Sequence, residues 1–110
     1  MFLQPARKRV VCKDGFNVSI QASEHHYCTP RIDGAYTEYD DVELGFPSEE
    51  EPLINEYIED GYDEPDPPTE SVYPHVPANV VKKMIDKHGG IIEGEMPKLN
   101  LAKVVQEELI

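Results

Sequence analysis

Apolar and polar residues alternate without a break from Phe16 to Ser23, with Phe16, Val18, Ile20 and Ala22 on one side and Asn17, Ser19, Gln21 and Ser23 on the other. A period of two marks a strand with one packed face and one hydrogen-bonding face. Ahead of it, Val10-Val11-Cys12-Lys13 reads as a partner strand and Asp14-Gly15 as a type I′ turn, whose central residues need the positive φ that Asp tolerates and Gly adopts freely. These segments predict a β-hairpin.

From Glu24 to Gly34 no period persists and Pro30 and Gly34 interrupt the chain, which predicts a long loop. The stretch Glu38 to Phe46 then places Val42, Leu44 and Phe46 on one face of a third strand, stopped by Pro47. Ser48-Glu49-Glu50-Glu51 matches a capping box and predicts a short amphipathic helix carrying Leu53, Ile54, Tyr57 and Ile58 on one side and ending near Asp60-Gly61. The alternative start is Glu51, with Pro52 as the first helical residue.

Residues 61–71 combine proline, glycine and acid, the composition of a solvated loop. Val72-Tyr73 adds a short edge strand before Pro74. Pro77 opens a second helix with Val80, Val81, Met84, Ile85 and His88 on one face and Lys82, Lys83, Asp86 and Lys87 on the other, closed by Gly89-Gly90. A third helix is expected over Pro97 to Ile110, with Leu101, Val104, Val105, Glu108 and Leu109 at the recurring positions, a narrow stripe that packs on the domain, binds a second copy in a homodimer or frays.

The pattern as a whole predicts one small α+β domain: a three- to four-stranded, mainly antiparallel sheet, two helices on one face and a C-terminal helix. Residues 1–8 form a lead-in, 9–92 the domain and 93–110 a helical extension.

Charge changes this picture most. The chain of 110 residues has a formal charge of −12. Between Ile32 and Val81 there are 15 carboxylates and no Lys or Arg. Such a field favours basic partners and argues against direct binding of nucleic acid, whose phosphates it repels. No apolar run reaches the roughly 20 residues that span a bilayer. The N-terminal residues do not read as a signal peptide, so no membrane association and a cytoplasmic setting are expected.

Candidate chemistry is sparse. Cys12 and Cys28 are expected to be free thiols. His25, His26 and Cys28 include zinc-ligand types, but there is no C-x-x-C or H-x-x-x-H spacing, so no metal or cofactor is expected. Cys28 beside a histidine lacks the orienting third group that a thiol nucleophile needs. The calcium-loop pattern and the Gly-rich phosphate loop are both absent. Arg31, the last cation before the acidic stretch, is expected to pair with Glu38 or Glu43.

The motifs Asp14-Gly15-Phe16, Gln21-Ala22-Ser23, His26-Tyr27-Cys28-Thr29-Pro30-Arg31 and Val42-Glu43-Leu44-Gly45-Phe46-Pro47-Ser48, with Val72-Tyr73 and His88-Gly89-Gly90, resemble a group of small bacteriophage-encoded proteins of unassigned function. The likeness covers about residues 10 to 91. It implies a phage setting, host cytoplasm as the location, and a role in blocking a host enzyme or defence complex.

The expected function is therefore that of a non-enzymatic acidic interaction protein that blocks a basic, nucleic-acid-handling host protein, including by nucleic-acid mimicry. Its partner-binding residues are expected to be Asp40, Asp41, Glu43, Glu59, Asp60, Tyr62, Asp63, Glu64, Asp66 and Glu70. A second reading is a small-ligand or nucleotide-binding module using Gln21, Ser23, Tyr27 and Arg31. A third is a phage structural or assembly accessory protein.

Overall fold

Cys12 and Phe16 begin the observed hairpin: the Cys12 amide donates to the Phe16 carbonyl at 2.8 Å and the Gly15 amide to the Cys12 carbonyl at 2.9 Å. The computed structural model describes residues 6–34, 36–59 and 66–101. In it β1 (Val10–Cys12) pairs antiparallel with β2 (Asn17–Gln21). The connection is a three-residue loop, not the expected two-residue turn. Gly15 has φ 97°, whereas Asp14 is not left-handed. This is the arrangement in which an ordinary turn is followed by a left-handed residue that absorbs the strand twist. Asp14 is thereby freed to use its carboxylate elsewhere.

The sheet has five strands, ordered β4-β3-β2-β1-β5 and antiparallel throughout. β3 is Asp41–Gly45, β4 is Val72–Pro77 and β5 is Ile91–Glu93. The expectation of three to four strands is thus corrected by β5. Its three residues are all exposed and carry no alternation that a sequence pattern could register. The edge strand expected at Val72-Tyr73 continues through Pro74 to Pro77, and prolines suit an edge because they have no amide proton to leave unpaired.

Val10, Cys12, Val18, Ile20, Val42, Leu44, Tyr73 and Val76 are buried, most of them completely, and form the core together with Ile54, Val81 and Met84. Cross-strand register puts like with like: Val10 faces Val18, Ile20 faces Leu44 and Val42 faces Val76. The third strand departs from expectation at Phe46. That residue adopts φ 53° and is half exposed, so only Val42 and Leu44 turn inward.

The helical layer is thinner than expected. Ser48 does not cap a helix, because its hydroxyl accepts from the Asn17 amide of β2 at 3.0 Å. Glu51 caps instead, its Oε2 accepting from the Leu53 amide at 2.9 Å, and Pro52 is the first helical residue. The element it opens is a 3-10 helix, η1 (Pro52–Tyr57), that buries Ile54, and not an α-helix reaching residue 60. A second 3-10 turn, η2, spans Pro68–Glu70.

The α-helix among the described residues, α1 (Ala78–Lys87), buries Val81, Met84 and Ile85 of the expected face together with Ala78, while Val80 is only partly buried. Its C-terminus closes with the Gly89 amide donating to Asp86 and the Gly90 amide to Ile85, the paired bonds of a Schellman motif.

The helix expected from Pro97 does not start there. Residues 97–101 are not helical, and Leu99 forms an isolated bridge with Tyr39, the Tyr39 amide donating to the Lys98 carbonyl and the Asn100 amide to the Tyr39 carbonyl, both at 2.8 Å. Pro97 is buried and Leu99 packs on the core, so this run is spent on the sheet's own end. The remainder of that expected helix, and with it the apolar stripe suited to a homodimer, lies outside the described residues. No helix among the described residues is long and apolar enough to cross a membrane.

Candidate binding surface

The residues expected to form a ligand site are largely committed to the fold. Gln21 is buried: its Oε1 accepts from the Arg7 amide and its Nε2 donates to the Arg7 carbonyl, both at 2.9 Å. The side chain thus imitates a strand neighbour and prolongs the β1 ladder backwards to Arg7. Ser23 is also buried, with Oγ 2.6 Å from His26 Nδ1 and accepting from the His25 amide.

Tyr27 and Arg31 remain at the surface. The Arg31 guanidinium lies 5.4 Å from the Tyr27 ring centroid and its Nε donates to the Glu24 carbonyl at 3.1 Å. The expected Arg31 pair with Glu38 or Glu43 is not formed. Glu38 is paired with Lys98 at 3.4 Å, and Glu43 Oε1 accepts from the Tyr27 amide at 3.4 Å while Oε2 is 4.0 Å from His26 Nε2.

The expected acidic partner surface divides in the same way. Asp40 accepts from Asn100 Nδ2 at 2.9 Å, and Asp41 stands 2.8 Å from Nδ1 of His75, a residue with φ 52° on β4. Glu59, Asp66 and Glu70 are exposed. Asp60, Tyr62, Asp63 and Glu64 lie outside the described residues.

A second set of carboxylates gathers at the end of the sheet where β3 stops and β4 starts. The Glu59 amide donates to Val72, the Phe46 amide to Ser71, and the Tyr73 hydroxyl to Pro68, which draws η1, η2 and this sheet end together. Glu49, Glu50, Glu56, Glu59, Asp66 and Glu70 are exposed there. Among the described residues none of them forms an ion pair with a lysine, arginine or histidine.

Beneath this end runs a polar chain, buried at His88 and Glu51, that no sequence motif announces. His88 Nδ1 is 2.6 Å from Asp14 Oδ2 and its Nε2 is 2.7 Å from Glu51 Oε1. Phe16 stacks on the ring at a centroid distance of 4.0 Å, and Lys87 Nζ reaches Glu51 Oε2 at 3.0 Å. A ring bonded to two ionised carboxylates donates a proton from each nitrogen.

Burial lowers the His88 pKa, but hydrogen bonds and charge from Asp14 and Glu51 outweigh it and hold it above the usual histidine value. For Glu51 burial acts upward, and the Leu53 amide, His88 and Lys87 together bring it below the usual carboxylate value. Asp14 is lowered by its bond from His88 and then by the Phe16 amide. The one available signal was His88 on the apolar face of its helix, a polar residue where a partner is required.

Cys12 and Cys28 are free, buried, and raised in pKa by burial first, which makes them poor nucleophiles. Among the described residues no group of three or more His, Cys, Asp or Glu side chains is placed to hold a metal ion.

Comparison with protein-family models, curated proteins and solved structures finds no match for this chain.

Proposed function

We propose that this chain is a non-catalytic binding protein that offers the acidic end formed by η1, η2 and the start of β4 to a basic partner protein. One observation carries the reading: Glu49, Glu50, Glu56, Glu59, Asp66 and Glu70 are exposed at one end without a cation of their own among the described residues, whereas Asp14, Glu38, Asp41, Glu51 and Asp86 are each paired with a histidine or lysine. Unpaired like charges repel one another, so gathering them has a cost that a cationic partner offsets.

The narrower form of this reading is an inhibitor that occupies the nucleic-acid site of such a partner. It rests on the charge of −12 and on the absence of Lys and Arg from 32–81. The small-ligand alternative loses ground because Gln21 and Ser23 are satisfied within the fold.

The test is affinity capture from a bacterial lysate with the full chain, eluted by rising salt, beside a variant with Glu49, Glu50, Glu56 and Glu59 changed to Gln. Capture of basic proteins that fades as the screening length falls from about 10 Å at 0.1 M salt to about 3 Å at 1 M, and that the variant loses, supports the reading. Equal capture by the variant removes this end as the binding surface.

A further inference from the structure

His88 joins three elements that are remote in sequence: the β1–β2 turn through Asp14, the cap of η1 through Glu51, and the C-terminus of α1 that carries the ring itself. The histidine side chain is 8% exposed and that of Glu51 is 1% exposed, so water cannot substitute readily for either partner. Asp14 is 49% exposed, and its Oδ1 accepts from the Phe16 amide at 2.9 Å.

The other charged or titratable groups at this junction are few. The Lys13 stem approaches Gly89, Lys87 shares Glu51, Asp86 is taken up by Lys82 at 2.6 Å, and the buried Cys12 thiol lies within the influence of Asp14. Lys87 is half exposed, so His88 is the buried counter-charge for Glu51.

We propose that His88 is a charge-dependent latch on the acidic end, its imidazolium holding η1 in place through Glu51 and loosening it when the ring becomes neutral. A neutral ring has one N–H and one lone pair. Placed between two carboxylates, its lone pair faces an anionic oxygen, and that contact turns repulsive. Asp14 loses its bond from the ring, the turn keeps only its backbone bonds to the end of α1 (the Asp14 amide to His88 and the Lys13 amide to Gly90), and Glu51 Oε1 keeps a neutral donor where it had a charged one. The cap of η1 then opens more often, and Glu49, Glu50 and Glu56 lose their fixed spacing.

The effect of the latch on binding rests on the acidic-end surface proposed above. Its effect on the order of η1 does not.

The experiment follows the full chain by NMR from pH 6 to 9, recording the His88 ring nitrogens and the exchange protection of the Leu53 and Ile54 amides. Protection at both is expected to fall about tenfold or more as the ring deprotonates, because the opening of η1 is local and draws on the His88 tie. In His88→Gln it is expected to be weak and free of that pH step. A ring already neutral at pH 6, or protection in the native chain that stays flat through the ring's titration, overturns the latch without recourse to any variant.

Binding of decalysine at low salt and pH 6 supplies the second readout. His88→Gln is expected to bind about threefold or more weakly than the native chain although it lacks one positive charge, since order and not net charge is what it loses. Equal or tighter binding by the variant overturns the coupling to the surface. Failure of the native chain to bind decalysine removes the acidic-end reading and leaves the latch to be decided by amide exchange.

Discussion

His88 Nε2 lies 2.7 Å from Glu51 Oε1, across 37 residues of chain, with both side chains removed from water. A buried ion pair of this kind is a weak net stabiliser but costly to break from one side, because the survivor is left as an uncompensated charge.

Stability is therefore expected to pass through a maximum in mildly acidic solution. His88 is raised on folding, so its contribution is complete below the usual histidine value near 6.5 and disappears as pH rises through the higher folded value. Asp14 and Glu51 are lowered, so theirs is complete above the usual carboxylate values near 4 and disappears as pH falls through the lower folded ones. Thermal unfolding followed by circular dichroism should give its highest midpoint between about pH 5 and 6.5. A midpoint that rises steadily from pH 6 to 9 would contradict this assignment.

Glu51→Ala removes the cap of η1 and leaves His88 with Asp14 as its one carboxylate. The expected loss is about 2–4 kcal/mol, below the full cost of orphaning a buried charge because Asp14 remains. Glu51→Gln keeps a side chain able to accept from Leu53 and should cost less. Urea unfolding of both variants separates the two effects, and an equal loss would place the cost in the charge alone.

Gly94 has φ 105°, and a Cβ there would meet the Arg9 carbonyl and come within 2.6 Å of Val10 Cα. Both the left-handed backbone and the close approach of β1 forbid a side chain. Gly94→Ala is expected to cost about 1–3 kcal/mol by strain and overpacking. Loss of amide protection confined to β1 and β5 would locate the damage.

Ile54 and Phe46 reverse their apparent ranks. Ile54, on a short 3-10 helix, has no exposed surface, whereas Phe46 is half exposed. Truncating Ile54 to Ala should cost about 2–4 kcal/mol by leaving a cavity. Phe46→Ala should change stability by no more than about 0.5 kcal/mol, as surface replacements do. Chemical denaturation of the pair would expose a mistaken assignment of either face.

The features legible in sequence were those written in local patterns. β2 showed its alternation, α1 its spacing and its Gly89-Gly90 stop, and each formed where expected. Ser48 misled because its hydroxyl is spent on Asn17, a residue 31 positions away that no capping motif contains. β5 was invisible because three exposed residues have no hydrophobic face to declare. The Asp14–His88 bond joins positions 74 apart, and its only trace was a histidine on an apolar helix face. The acidic end is legible only in part: Glu59, Asp66 and Glu70 stand out by composition, whereas Glu49, Glu50 and Glu56 read in sequence as belonging to a longer capped helix.

The strand order β4-β3-β2-β1-β5 also bears on how the chain assembles. β1 is made early yet lies inside the sheet, and its outer edge is covered only by β5, which reaches it after α1 has carried the chain from the opposite side. A nascent hairpin of β1 and β2 consequently emerges with one row of amides and carbonyls unprotected until nearly all the other strands have been synthesised. Such edges recruit stray strands, and sheets closed by distant segments form slowly.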